Sequence, residues 1–244
     1  MTSKQAAALP GVEVLLGWVD EGQRLLEQMV HPLDDTAVGE PSRLPGWTRG
    51  HVLTHVARNA DALVNLLTWA RTGTPTPMYP STESRNAGIE AGAPRPIAAQ
   101  REDLEAAARR FMESARAMTP PDWERTVQSA QGRSIPGSEI PWMRVREVWI
   151  HLADLDLGPG FEVLPDAVAA ALVHDVAGWM DGRVTERVEL AGVDGVTFGG
   201  SPGQPPVRVD GTPQALAEWL VGRSRGETLA VEGPSALPDL PRWL

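Results

Sequence analysis

Between Val12 and Val30 the apolar residues fall at Val12, Leu15, Leu16, Val19, Leu25, Leu26 and Met29. That spacing follows the 3.6-residue turn of a helix with one buried face. His31 and Pro32 stop it, and the Asp/Thr/Gly/Pro-rich stretch beyond has no period. Periodicity resumes after Thr48, a side chain suited to capping a helix N-terminus. It runs to about Arg71, with Val52, Val56, Leu63, Leu66 and Leu67 as the inner stripe. A third helix is expected over Ile97–Met118, through Leu104, Ala107, Ala108, Phe111 and Ala115, and a fourth from Trp142 to about Leu157, through Val145, Val148, Trp149, Leu152 and Leu155. Residues 72–97 hold five prolines and read as a long irregular excursion over the surface; Pro120 to Pro141 reads as a second one.

Four amphipathic helices with long crossing connections predict a bundle. After Gly158-Pro159-Gly160 the texture changes. One helix is expected over Ala167–Met180, followed by short strands at Val188–Leu190, Val196–Phe198, Val207–Val209 and Leu229–Val231. Thr212 and Pro213 open a further helix that ends near Gly222. The expected class is therefore α+β, with a helical-bundle domain over residues 1–160, a small α+β domain over 161–244, and no internal repeat.

Composition narrows the function. With 22 Lys and Arg against 32 Asp and Glu, the formal charge is −10, which repels a phosphate backbone and an anionic membrane surface. Nucleic acid and membrane are not expected partners; an anionic small substrate would need a local cluster of arginines. No run approaches the roughly 18 apolar residues of a membrane span. Pro10 and Glu13 interrupt the only early apolar run, so a secretory signal is not expected and the cytoplasm is the expected location. The chain has no cysteine. Disulfides and thiolate ligands are thereby excluded, and any thiol chemistry requires sulfur carried by a cofactor.

The five histidines are His31, His51, His55, His151 and His174. His51 and His55 lie four apart on the second expected helix, as do Glu147 and His151 on the fourth; an i, i+4 pair projects from one helix face and can reach one ion. A ligand from each of two facing helices completes two His and one carboxylate and leaves a coordination position open, the pattern of a catalytic zinc site. Spacing alone does not separate His51 from His55. Asp154 shares the face of Glu147, either as an acceptor orienting a ligand or as a carboxylate in water. Arg223 directly follows the last helix, where a cation meets exposed carbonyls. Arg85 and Asn86 fall in the proline-rich stretch and are expected in solvent.

Leu44-Pro45-Gly46-Trp47-Thr48-Arg49, the run His51 to Asn59, Arg85-Asn86, Trp142-Met143-Arg144, the run Arg146 to His151, and the closing Pro241-Arg242-Trp243-Leu244 together resemble mycothiol-dependent maleylpyruvate isomerases. The resemblance runs the length of the chain. It implies a DinB-like metal-binding four-helix bundle followed by a small, sterol-carrier-like α+β domain that contributes to the active-site cleft. It also implies His55, Glu147 and His151 as ligands of a divalent metal, expected to be Zn²⁺, with mycothiol as cofactor and Arg223 as the functional arginine of the C-terminal domain. The implied reaction is cis–trans isomerisation of maleylpyruvate to fumarylpyruvate, a step of gentisate-type aromatic degradation. Thiolate addition, bond rotation and elimination would carry it. The rivals are a metal-dependent mycothiol S-transferase and a non-catalytic metal- or ligand-binding regulator. Neither the oligomeric state nor roles for His51 and Arg85 follow from the sequence.

Overall fold

A computed structural model describes residues 9–233 and 236–243. The first helix, α1 (Val12–Val30), turns Leu15, Leu16, Val19 and Leu26 inward. A short α2 (Asp35–Gly39) follows, its first turn held by the Asp34 side chain, which accepts from the Ala37 N–H at 2.8 Å. Thr48 caps α3 (Arg49–Thr72), which ends at Gly73 in the left-handed region, φ 74°, where glycine is unstrained. Then come α4 (Thr82–Gly92), α5 (Ile97–Arg116) and α6 (Pro120–Glu124), a hairpin of β1 (Thr126–Gln128) and β2 (Ser134–Pro136), and α7 (Ile140–Asp154).

The long helices α1, α3, α5 and α7 form the bundle: α3 packs on both α5 and α7, and α1 packs on the same two. Leu15, Val56, Leu63, Phe111, Val145 and Leu152 meet in its interior. Arginines cover exposed helix ends. Arg125 donates to the Ala70 and Arg71 carbonyls at the end of α3, and Arg101 to those of Val30 and His31 at the end of α1.

Two expectations need correction. Residues 72–97 are not an irregular excursion, because the prolines at 75, 77, 80, 94 and 96 bracket a proline-free stretch without entering it. Ser81 accepts from the Ser84 N–H at 3.1 Å and starts α4 there. Residues 120–141 likewise hold α6 and the β1–β2 hairpin, whose buried residues Val127 and Ile135 stand opposite each other. Strands of three residues leave almost no period to read. The last bundle helix begins at Ile140 because Pro141 is harmless in a first turn. It stops at Asp154, two residues before Asp156 takes a φ of 54°.

Helix α4 lies against α3 through glycines. A Cβ on Gly50 would stand 2.2 Å from the Ala93 carbonyl oxygen, and one on Gly92 would stand 2.3 Å from Thr54 Cγ2. Thr54 is buried beside His55 and cannot swing away freely. Gly92→Ala is therefore expected to cost about 1–3 kcal/mol through overpacking, read as a lower midpoint of chemical denaturation. The opposite face of α3, toward α5 and α7, should keep its protection from hydrogen exchange.

The chain divides into two compact units between Gly160 and Phe161. In the second, α8 (Asp166–Met180) and α9 (Pro213–Leu220) pack together beside a sheet of order β4-β3-β5-β6. Its strands are β3 (Val188–Leu190), β4 (Thr197–Phe198), β5 (Val207–Asp210) and β6 (Ala230–Glu232). β3 and β5 run parallel and both outer pairs antiparallel, which sets Val188 beside Val207 on one side and Phe198 on the other. Thr212 caps α9 by accepting from the Ala215 N–H at 3.2 Å, with Pro213 in the first turn. Trp243 is buried, and Leu244 lies outside the described residues. The fold is thus a DinB-like four-helix bundle with a small α+β unit after it. No helix among the described residues is long and apolar enough to cross a membrane.

Candidate metal centre

The segment before α3 fixes where that helix starts and how it meets α7. Arg49 donates to the carbonyls of Leu155 (2.9 Å) and Asp156 (3.0 Å), just past the end of α7, and to that of Ala37 (3.1 Å). The Arg43 N–H donates to the Asp154 carbonyl at 2.9 Å. One arginine thus ties the first turn of α3 to the last turn of α7, and side chains one turn into α3 face those near the end of α7.

His51 and His55 part company at this helix start. His51 is the third residue after the Thr48 cap, and its Nδ1 accepts from the Thr48 backbone N–H at 3.1 Å while the Thr48 hydroxyl accepts from the His51 N–H. It completes a capping box in the place usually held by Glu or Gln, and its Nε2 stands 3.4 Å from Glu90 Oε2 on α4. His55, one turn on, is buried and aims its Nε2 at Glu147 Oε2, 2.9 Å away.

Glu147 Oε2 also lies 3.4 Å from His151 Nε2. The ring centroids of His55 and His151 are 4.7 Å apart at 90°. One ligand atom from each of the three side chains lies within 4.8 Å of the other two, close enough to hold a single ion. His151 Nδ1 meets Asp154 Oδ2 at 2.9 Å, and Asp154 is fully buried. Of the two sequence readings of Asp154, the orienting one holds: it fixes the His151 ring so that Nε2 faces the cluster. Trp47 places its ring edge-on to His55, with centroids 5.5 Å apart.

The charges follow from these contacts. Burial pushes the His55 imidazole down despite the bond to Glu147, so it is neutral near pH 7. Burial alone would lower His151 as well, but the bonds to Asp154 and Glu147 outweigh it and lift the ring to about 9. Burial would raise Glu147, yet hydrogen bonds from His151 and His55 hold it well below the ordinary carboxylate value. A protonated His151 thus bridges the Asp154 and Glu147 carboxylates. The donor set fits a divalent cation that takes two imidazoles and a carboxylate and keeps an open position.

Three further residues were not assigned by the sequence. Arg144, one turn before Glu147, is completely buried and donates to the Val56 carbonyl (2.8 Å), Asn59 (3.3 Å) and Gln23 (3.2 Å). Burial lowers it to about 10 against the pull of Glu147, so the guanidinium remains charged inside the bundle. Tyr79, the chain's one tyrosine, is pushed up by burial and then by Glu147. Arg85 is not on a solvent loop as expected: it projects from α4, half-buried, and its Nη2 lies 3.3 Å from His55 Nδ1. Asn86 is exposed. The signal that could have found α4 was Ser81 opening a proline-free stretch.

In the second unit Arg223 is half-buried just past α9, donating to the Val221 carbonyl at 3.1 Å among other contacts.

The profile of the mycothiol maleylpyruvate isomerase N-terminal domain family matches residues 19–156, which include α3, α7 and the whole cluster. The chain belongs to that family. Among solved structures, a mycothiol-dependent maleylpyruvate isomerase superposes with a TM-score of 0.85 at 34% identity, over 96% of this chain and 98% of that one. A structure of such an isomerase carrying a histidine-to-alanine substitution gives the same TM-score, 0.85, at 33% identity and the same coverage. YfiT from Bacillus subtilis, described as a probable metal-dependent hydrolase with an unusual four-helix bundle topology, matches at 18% identity and a TM-score of 0.53, over 63% of this chain and 89% of its own. At that identity it speaks for the fold alone. No curated protein sequence matches.

Proposed function

We propose that this protein isomerises maleylpyruvate to fumarylpyruvate, with mycothiol as cofactor and a divalent metal, Zn²⁺, held by His55, Glu147 and His151. The supporting observation is the convergence of those three side chains in a chain that shares 34% identity, over nearly its full length, with a mycothiol-dependent maleylpyruvate isomerase. The reading carries with it a cytoplasmic enzyme of aromatic-compound degradation.

Maleylpyruvate has a cis double bond conjugated to a ketone. Rotation needs that bond to become single, and a thiolate can achieve this by adding to the alkene and passing the electron pair to the ketone as an enolate. Rotation follows; the enolate then returns the pair, the carbon–sulfur bond breaks and the thiolate leaves unchanged. The chain lacks cysteine, so the sulfur comes from mycothiol. Bound metal would lower the pKa of that thiol. Asp154 holds His151 in its ligating orientation, Arg49 holds α3 and α7 in register, and Trp47 shields one side of His55 from water. Arg223 is proposed to bind a substrate carboxylate or the enolate oxygen. Arg223→Ala should leave the metal content at one equivalent and lower kcat/KM by about a hundredfold; full activity would reduce the residue to a helix-end contact.

The deciding assay follows ultraviolet absorbance of maleylpyruvate with metal-loaded protein, with and without mycothiol, while thiol is titrated. Conversion only with mycothiol present, and without thiol loss, supports isomerisation. Stoichiometric thiol consumption makes the protein an S-transferase, and binding without turnover makes it a regulator.

A further inference from the structure

Next to the cluster, within the bundle unit, is a cavity of about 390 Å³. Its walls come from Trp69 at the end of α3, the Pro75–Tyr79 segment, the start of α4 and residues 128–130 of the hairpin. Arg85 is part of both places. It lines the cavity, and its Nη2 touches His55 Nδ1 at 3.3 Å. Its other contacts are neutral: Nη1 donates to Asn86 Oδ1 at 3.0 Å, and the guanidinium carbon lies 5.9 Å from the centre of the Tyr79 ring.

Several arginines near α3, α4 and α5 have carboxylate partners. Arg58 and Arg95 both pair with Asp103, and Arg110 pairs with Asp61. Among the described residues no carboxylate lies within ion-pair distance of Arg85, although the chain carries ten more acidic than basic side chains. A half-buried guanidinium without a counterion, facing a cavity and touching a residue of the candidate metal centre, is placed to receive an anion from outside. The fork of donors suits a carboxylate bound by two hydrogen bonds. Ser81, Thr82 and Gln128 supply further polar groups in the wall.

We propose that Arg85 and this cavity form a carboxylate subsite that holds one end of the substrate beside the metal centre. The inference rests on the isomerase reading for the identity of the substrate, and on the uncompensated guanidinium for the site. Mycothiol carries no carboxylate, so the two ligands can be told apart kinetically.

The test uses the full-length, metal-loaded protein and its Arg85→Ala, Arg85→Gln and Arg85→Lys variants. Steady-state KM is measured separately for maleylpyruvate and mycothiol, metal content is measured by elemental analysis, and maleate, a stable dicarboxylate, is titrated calorimetrically without thiol. The Ala and Gln variants should keep one equivalent of metal, raise KM for maleylpyruvate at least about tenfold as expected for a lost charge-assisted contact, leave KM for mycothiol within about twofold, and lose maleate binding. The Lys variant should recover part of both losses. Unchanged maleylpyruvate KM and maleate binding in all variants would overturn the subsite, and so would a rise confined to mycothiol. If the wild-type protein does not isomerise yet binds maleate through Arg85, the isomerase reading fails and the carboxylate subsite stands.

Discussion

A His55→Ala protein should purify without its divalent metal and turn over at background. His55 is the sole ligand that α3 supplies to the cluster, and its Nε2 is 2.9 Å from the Glu147 oxygen that also faces His151. Alanine leaves two ligands on one helix, with nothing from the facing one to close the site. A catalytic metal contributes several kcal/mol of charge stabilisation, so the loss should be on the order of a thousandfold or more. The fold should survive, because the core formed by Leu15, Leu63, Phe111 and Leu152 is untouched. His51→Ala is the informative control. His51 serves the cap of α3, so that variant should keep its metal and lose only about 0.5–2 kcal/mol of stability. A His55→Ala protein with full metal and normal rate, or a His51→Ala protein without metal, would overturn the ligand assignment.

Metal affinity should rise about tenfold per pH unit from pH 6.5 until it levels near pH 9. The cause is His151, whose ring is held up to about 9 by Asp154 and Glu147 although burial opposes it. Below that value the metal must displace a proton from His151. His55 is already neutral and Glu147 already ionised, so a single proton is released. Calorimetry at pH 7 in buffers of different ionisation enthalpy should count close to one proton, and fewer above pH 9. The metal-free protein should behave oppositely. His151 is raised from 6.5, so its contribution is complete below 6.5 and fades as the pH climbs through about 9. Glu147 is depressed from 4.5, so its contribution is present above 4.5 and fades as the pH falls. Metal-free stability should therefore drop between pH 6.5 and 9 while metal binding strengthens across the same range. A metal affinity independent of pH in that range would mean that His151 is not a ligand.

The bundle was legible because its four long helices carry an unbroken 3.6-residue stripe, and the Glu147–His151 pair because i, i+4 spacing is independent of tertiary context. What was missed shares one cause: stability that comes from elsewhere in the molecule. Helix α4 has few buried residues of its own, Ile89 and Gly92 among them, and holds its place because Gly50 admits the Ala93 main chain and Gly92 admits the Thr54 side chain. The β1–β2 hairpin has only Val127 and Ile135 as buried apolar residues of its strands. The choice between His51 and His55 was open to spacing but not to position. His51 is three residues past Thr48, where a capping box takes its partner, and counting from the cap would have drawn it away from the metal. Arg85 stayed unassigned for the same reason as α4, because a charge in a stretch read as loop has no visible neighbours.

The way α4 is held has an evolutionary corollary. Its seat is made by small residues and main chain, while the cluster depends on a rigid pair, α3 and α7, locked by Arg49. Side chains of α4 that carry none of its packing, Arg85 at the cavity and the exposed Glu83 and Asn86, can therefore be exchanged without unseating the helix. A lineage starting from this scaffold could alter which anion it accepts by drift on one short helix, keeping the same reactive centre throughout.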